Sequence, residues 1–228
     1  MTVTDMVSAT QLANVFVHET AIVDEGASIG ADTKIWHFAH VYSKAIIGCS
    51  CSFGQNTMVA GGVSIGDNVK VQNNVAIYQG TAIEDDVFLG PSCVLTNVSN
   101  PRSQVVRRSL CEKTTIRRGA TVGANATIVC GITIGRYAFI AAGSVVTRNV
   151  NDYELIVGVP GKPRGWMSRH GHPLRFDRDS SAVCPESGLN YIRSSNNEVQ
   201  CVDLPEDCRL PDHLVNGRQS YREYRSDD

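Results

Sequence analysis

The chain has 228 residues, 42% of them hydrophobic, 7% aromatic and 19% charged, with 20 Gly, 8 Pro and a formal net charge of −2. That is enough apolar material for one large domain or two small ones, which excludes wholesale disorder, and the near-neutral balance lacks the basic footprint of a nucleic-acid binder. The longest mostly apolar stretch, Tyr137 to Val146, is about half of the roughly 20 residues needed to cross a bilayer, and the opening MTVTDMVSAT lacks the basic-then-apolar order of a secretory leader, so a cytoplasmic protein is expected.

Residues 1–16 read as a lead-in. From Val17 onward a step of six lands on Val17, Val23, Ile29, Ile35, Val41, Ile47, Phe53, Val59, Ile65, Val71, Ile77, Ile83, Leu89 and Leu95. Four residues after each stands a small or β-branched residue, from Ala21, Ala27 and Thr33 through to Val87 and Cys93. A helix would rotate a six-residue step by about 600° and scatter these aliphatics around its wheel. Short parallel strands stacked at about 4.8 Å keep them on one interior face, the large slot filling the core and the small slot fitting where the backbone turns. An all-β solenoid is therefore predicted over residues 17–151.

The rhythm stops after Leu95 and resumes at Ile116, Val122, Ile128, Ile134, Ile140 and Val146, so residues 99–115 are expected to leave the core as a loop. Between Pro101 and Lys113 that loop carries Arg102, Arg107, Arg108 and Lys113 against Glu112, a local charge of +3. From Asp152 the hexads end. Gly158 to Trp166, GVPGKPRGW, reads as the loop leaving the solenoid, and residues 152–228 as a small appendage with a polar, partly disordered tail.

The eight cysteines contain no CxxC pair and are expected to be reduced, with Cys51 and Cys93 as packing residues in the small slot. No sequence signal marks an activated thiolate, which disfavours an acyl-enzyme. The six histidines, at 18, 37, 40, 170, 172 and 213, include no H-x4-H pair, and no metal site is expected.

Several outward-facing stretches occur in order: Trp36-His37-Phe38-Ala39-His40, Gln72-Asn73-Asn74, Glu84-Asp85-Asp86-Val87-Phe88, TNVSNPRS at 96–103, GANATIVCG at 123–131, GRYAFIAAGSVV at 135–146 and GVPGKPRGWMSRHG at 158–171. With the six-residue repeat, they resemble the hexapeptide-repeat nucleotide-sugar N-acetyltransferases over about residues 17–187. The likeness is greatest to the group that acts on UDP-2-acetamido-3-amino-2,3-dideoxyglucuronate in O-antigen assembly. The resemblance implies a left-handed parallel β-helix, a homotrimer with sites between subunits, and acetyl-CoA as co-substrate, without nucleic acid or membrane insertion. It places the cofactor against Gly123, Ala124, Ala141, Ala142 and Gly143, whose small size admits a pantetheine arm. Lys162 and Arg164 then serve the CoA phosphates and Trp166 the adenine; the alternative is that both cations are ordinary loop residues.

On the acceptor side the resemblance points to Asn73, Asn74, Tyr78, Glu84, Asn97, Asn100 and Arg102. Short polar groups suit a sugar, and an arginine fork suits a carboxylate or pyrophosphate. Asn73 and Asn74 have an alternative role at backbone corners, and Glu84 as part of a solvated face. A neutral amine attacking a thioester in a ternary complex needs alignment and oxyanion donors more than a strong base. Asn97 is accordingly expected at the active centre, with His37 and His40 either as bases or as structural, inter-subunit residues. The acceptor is read first as a UDP-linked sugar acid, with a dTDP-3-amino-3,6-dideoxyhexose as the near alternative and a non-catalytic or metal-binding hexapeptide trimer as the alternative of another class.

Overall fold

A computed structural model describes residues 14–107 and 109–224; most of the lead-in, residues 1–13, lies outside the described residues, as do Arg108 and residues 225–228. Two-residue strands alternate with turns to make a triangular coil. Phe16–Val17, Ile22–Val23 and Ser28–Ile29 open the three faces, and each pairs in parallel with the strand eighteen residues on: Phe16 with Lys34, Ile22 with His40, Ser28 with Ile46. The six-residue aliphatics fill one continuous core, from Ile35 at 0% exposure to Val146 at 1%, while Val17, Val23 and Ile29 of the first coil remain partly open. The small slot is buried as well, Thr33, Val63 and Val87 each at 0%.

Most turns hold one residue in the left-handed region, and these recur with the same period: Asp32, Phe38, Lys44, Ser50, Asn56, Asn68, Asn74 and Asp86 all have φ between 57° and 64°. That is why Asn and Asp crowd the corners, since their short side chains tolerate this backbone. Coils also stack tightly enough to exclude side chains locally. A Cβ on Gly90 would stand 2.7 Å from the Ala124 nitrogen and 2.8 Å from the Val122 oxygen, both main-chain atoms. Gly90→Ala is expected to cost about 1–3 kcal/mol, read as a lower thermal midpoint, and an unchanged midpoint would contradict this packing.

The excursion is inserted at one corner without disturbing the ladder. Phe88 pairs with Thr121 and Leu89 with Val122, just as Lys70 pairs with Phe88 one coil below. Thr114 and Thr115, expected inside the loop, are already in a strand, because they pair with Thr81 and Ala82 of the third face.

The solenoid also runs past residue 151. Glu154–Val157 lies parallel on Phe139–Ile140, and Ile156, 2% exposed, joins the same core. The stretch expected to be an exit loop contains the strand Lys162–Met167, antiparallel to Glu154–Val157, followed by Pro173–Leu174. Residues expected to form an appendage and polar tail build a second sheet from Ser181–Val183, Asn190–Arg193 and Val199–Cys201. Its own core holds Tyr153, Leu174, Ala182, Cys184, Leu189, Tyr191, Val199 and Cys201.

This small unit is fastened to the last coils by buried polar contacts. Arg169, its side chain 1% exposed, donates to the Pro205 carbonyl at 2.8 Å and to the Glu206 carboxylate at 3.2 Å, with its guanidinium 4.5 Å from the Tyr137 ring centre. The Tyr137 hydroxyl donates to the Glu206 carbonyl at 3.0 Å and that of Tyr153 to the Glu206 carboxylate. Burial pushes the Tyr137 phenol up to about 12, so it remains a donor near neutrality. Among the described residues no helix is long and apolar enough to cross a membrane.

Candidate functional site

The triangular coil sorts the candidate residues onto three edges. The first edge, between the face opened by Phe16–Val17 and that opened by Ile22–Val23, carries a groove of about 310 Å³ lined by Trp36, His37, Ser52, Gly54, Gln55, Val71, Gln72 and Asn73. Two expected residues, His37 and Asn73, meet here. The His37 ring stacks on His18 with centroids 3.5 Å apart, and the Trp36 indole donates to the Ser52 hydroxyl at 3.3 Å. Asn73 Oδ1 accepts from the Gln55 main chain at 2.9 Å, and Asn74, with φ 62°, accepts from Asn56 Nδ2 at 3.1 Å. Both amide oxygens thus serve the corner.

Higher on the same edge lie all five small residues expected to face the cofactor. Ala142 and Gly143 are exposed, and a Cβ built on Gly143 meets nothing within 4 Å. Gly123 differs, since a Cβ there would stand 2.5 Å from the Ala142 nitrogen, so its missing side chain serves coil stacking. Gly158 N–H donates to Ser144 Oγ at 3.0 Å and Gly161 N–H to the Val145 carbonyl at 2.7 Å. These bonds set the hairpin against this edge, with Lys162 and Arg164 exposed on its second strand. The edge therefore has the smooth wall and the cations that a long anionic cofactor needs.

The second edge carries Tyr78 and the loop with Asn97, Asn100 and Arg102. Asn97 is half-buried at the loop base, its Nδ2 3.7 Å from Cys111 Sγ. Arg107 Nε donates to the Asn100 carbonyl at 2.9 Å, ordering the loop on its own backbone, and Arg102 is exposed. His40 lies on the face between these two edges, its Nε2 3.0 Å from Asp24 Oδ1 and its ring stacked on Tyr42 at 4.0 Å.

The acceptor candidates are split within one chain, Asn73 and Asn74 on the first edge and Tyr78, Asn97, Asn100 and Arg102 on the second, and Glu84 is apart from both. It sits on the third edge, where its carboxylate accepts from the Arg118 main chain at 2.9 Å and lies 3.9 Å from Arg117 Nε. Beside it, Arg118 bridges Asp85 and Asp86. Its place in the eighteen-residue coil puts it one corner away, in a ladder of charges that closes that edge.

Among the thiols, burial pushes Cys93 up to about 12 and raises Cys51, so neither supplies a thiolate near neutrality. No group of three or more His, Cys, Asp or Glu among the described residues is placed to hold a metal. Sequence reasoning did not single out Gln55 as part of the groove, nor Asp24 as the partner of His40. The signal for Gln55 was its place one coil, eighteen residues, below Asn73.

The bacterial transferase hexapeptide family (six repeats) matches residues 62–97 and 113–148, and the hexapeptide repeat of succinyl-transferase matches residues 44–79. The dTDP-3-amino-3,6-dideoxy-alpha-D-galactopyranose 3-N-acetyltransferase of Aneurinibacillus thermoaerophilus is 44% identical over 176 residues, which is 77% of this chain and 90% of that protein. Bifunctional protein GlmU of Cellvibrio japonicus is 30% identical over 155 residues, 61% of this chain and 33% of GlmU. Among solved structures, a mutant of AntD, an N-acyltransferase from Bacillus cereus in complex with dTDP and coenzyme A, aligns over 71% of this chain and 87% of its own at 17% identity and a TM-score of 0.45.

Proposed function

The chain belongs to the hexapeptide-repeat nucleotide-sugar N-acetyltransferases, built as left-handed parallel β-helices, and from that premise we propose that it acetylates the 3-amino group of a dTDP-linked 3-amino-3,6-dideoxyhexose with acetyl-CoA. The observation that carries this reading is the 44% identity to the Aneurinibacillus enzyme, which spans 77% of this chain and 90% of that protein. The UDP-linked sugar acid expected first from the sequence becomes the second reading. What favours it is Arg102, exposed on a loop whose fork-shaped cation suits a carboxylate. O-antigen assembly is the setting that the sequence resemblance implies.

In the reaction the neutral 3-amine adds to the thioester carbonyl, the carbon–sulfur bond breaks, the electron pair leaves with sulfur and the ammonium proton neutralises the CoA thiolate. Asn97 positions the amine or the tetrahedral oxyanion, and the first edge holds the pantetheine arm between Ala124 and Gly143 with Lys162 and Arg164 at the phosphates. His40, paired with Asp24, and His37, stacked on His18, remain the candidate bases.

One chain offers the cofactor wall and the Asn97 loop on different edges, separated by a six-residue side of at most about 20 Å. This reading calls for a homotrimer, in which packing three prisms side by side would set the loop edge of one copy against the cofactor edge of the next.

The test incubates the full chain with acetyl-CoA and a panel of dTDP- and UDP-linked 3-amino sugars, following CoA release and product mass. The expected result is one added acetyl group on the dTDP-linked 3-amino-3,6-dideoxyhexose, with kcat/KM about tenfold or more above that for the UDP-linked sugar acid. A preference for the sugar acid would install the second reading, and no transfer to any amino sugar would overturn both.

A further inference from the structure

Glu112 stands out as the one acid in the basic loop, and its carboxylate is engaged at the loop base. Glu112 Oε1 accepts from the Ser99 main-chain N–H at 3.0 Å and from the buried Cys130 thiol at 3.6 Å, and Ser99 Oγ is 3.5 Å from the same sulfur. The Glu112 main-chain N–H donates to the Asn97 carbonyl at 2.9 Å. Cys130 is itself fixed, its N–H donating to Thr96 Oγ1 at 2.9 Å. The two peptide units that follow Asn97 are therefore both held by one residue, the first through its N–H and the second through its carboxylate. The preceding residue, Cys111, receives the Asn97 amide.

We propose that Glu112 is a positioning residue for the acceptor site: it clasps the two ends of the loop together and thereby sets where the Asn97 side-chain amide stands. The inference rests on the acetyl-transfer reading and on Asn97 as its active-centre residue. A loop closed by a single backbone bond at Asn97 would leave the Val98–Ser99 unit to swing, and the Asn97 side chain with it. An error of about 1 Å in such a group is enough to cost about a hundredfold in rate.

The Ser99 hydroxyl and then its main-chain N–H hold the Glu112 carboxyl below its ordinary range, with the Cys130 thiol adding to this. A group lowered in the folded state contributes fully above its unfolded value, near about 4.3, and loses that contribution as pH falls through the lowered folded value. Glu112 thus stays ionised and closed throughout the neutral range and should add no ionisation of its own to the activity profile there.

The test compares Glu112→Ala and Glu112→Gln in the full chain, with kcat, both KM values, thermal midpoint and the rate of tryptic cleavage after Arg102 or Arg107. For the Ala variant, kcat/KM for the amino sugar is expected to fall by about tenfold or more while KM for acetyl-CoA and the shape of the pH profile stay unchanged, and loop cleavage to quicken by a similar factor. The Gln variant keeps an oxygen for the Ser99 N–H and should restore most of both. Wild-type kinetics in the Ala variant would overturn the proposal, as would equal losses for both substrates accompanied by a lower midpoint. If the unaltered protein transfers acetyl to no amino sugar, the functional reading fails by itself. Loop cleavage then still judges the clasp: faster in Ala and not in Gln sustains it, and unchanged in both overturns it.

Discussion

Asn97→Ala is expected to lower turnover by about 100-fold or more while leaving the thermal midpoint near that of the unaltered protein, the loss typical of removing one preorganised donor from an acyl-transfer site. The side chain does not enter the aliphatic core, and its Nδ2 has a sulfur 3.7 Å away as its neighbour, a weak acceptor that leaves the amide strength for a ligand. The main-chain bonds that shape the loop base, from Glu112 N–H to the Asn97 carbonyl and from Ser99 N–H to Glu112, do not use the Asn97 amide. Truncation therefore removes chemistry and little structure. Product formation should be followed by mass, because Cys49 and Cys208 are exposed and would react with thiol reagents used to detect CoA. Near-normal turnover in the Ala variant, with the same oligomeric mass, would sink the assignment.

Arg169→Met is expected to detach the small C-terminal unit from the β-helix, at a cost of about 3–5 kcal/mol, the usual penalty for removing one partner of a buried charged network. The guanidinium joins the Pro205 and Cys208 carbonyls, the Glu206 carboxylate, the Tyr153 hydroxyl and the Tyr137 ring. Met fills part of the volume but leaves Glu206 without its cation and two carbonyls without donors. Lys would restore charge without the planar fork that reaches several acceptors at once. Chemical denaturation should then show an early transition, reported by Trp166 fluorescence, ahead of the main unfolding of the solenoid. A single transition at the wild-type midpoint would mean that the docking contacts contribute nothing.

The solenoid was legible because its period is imposed by geometry at every coil. A residue such as Phe53 or Ile77, both at 0% exposure, has no alternative place once the six-residue step is recognised. Cys51 and Cys93 were legible for the same reason, as fillers of the small slot. The edges were harder. Asn73, Asn97 and Glu84 looked like one polar set in the linear chain, yet the coil closes every eighteen residues and distributes them over three corners. Counting in threes of hexads separates them, and the inserted loop obscures that count after Leu95. The appendage was expected but its internal sheet was not, because its alternation is short: Ala182 and Cys184, Leu189 and Tyr191, Val199 and Cys201 are period-two pairs, each only one step long. Its attachment depends on Arg169 and Glu206, thirty-seven residues apart, which no local pattern connects.

The antiparallel hairpin at the end of the long ladder bears on solubility. A stack of parallel coils ends in a row of open N–H and C=O groups, a template on which another molecule can add its own first strand, so bare solenoids tend to grow into fibres. Here the ladder reverses at Glu154–Val157 and finishes on Lys162–Met167 and Pro173–Leu174. Strand reversal breaks the register that a parallel newcomer would need, Pro163 and Pro173 remove donors, and the exposed Lys162 and Arg164 repel a second copy of the same edge. The residues proposed to hold CoA phosphates would on this argument also disfavour the addition of a second copy. Neutralising both cations would then threaten the protein's colloidal behaviour as well as its affinity for the cofactor.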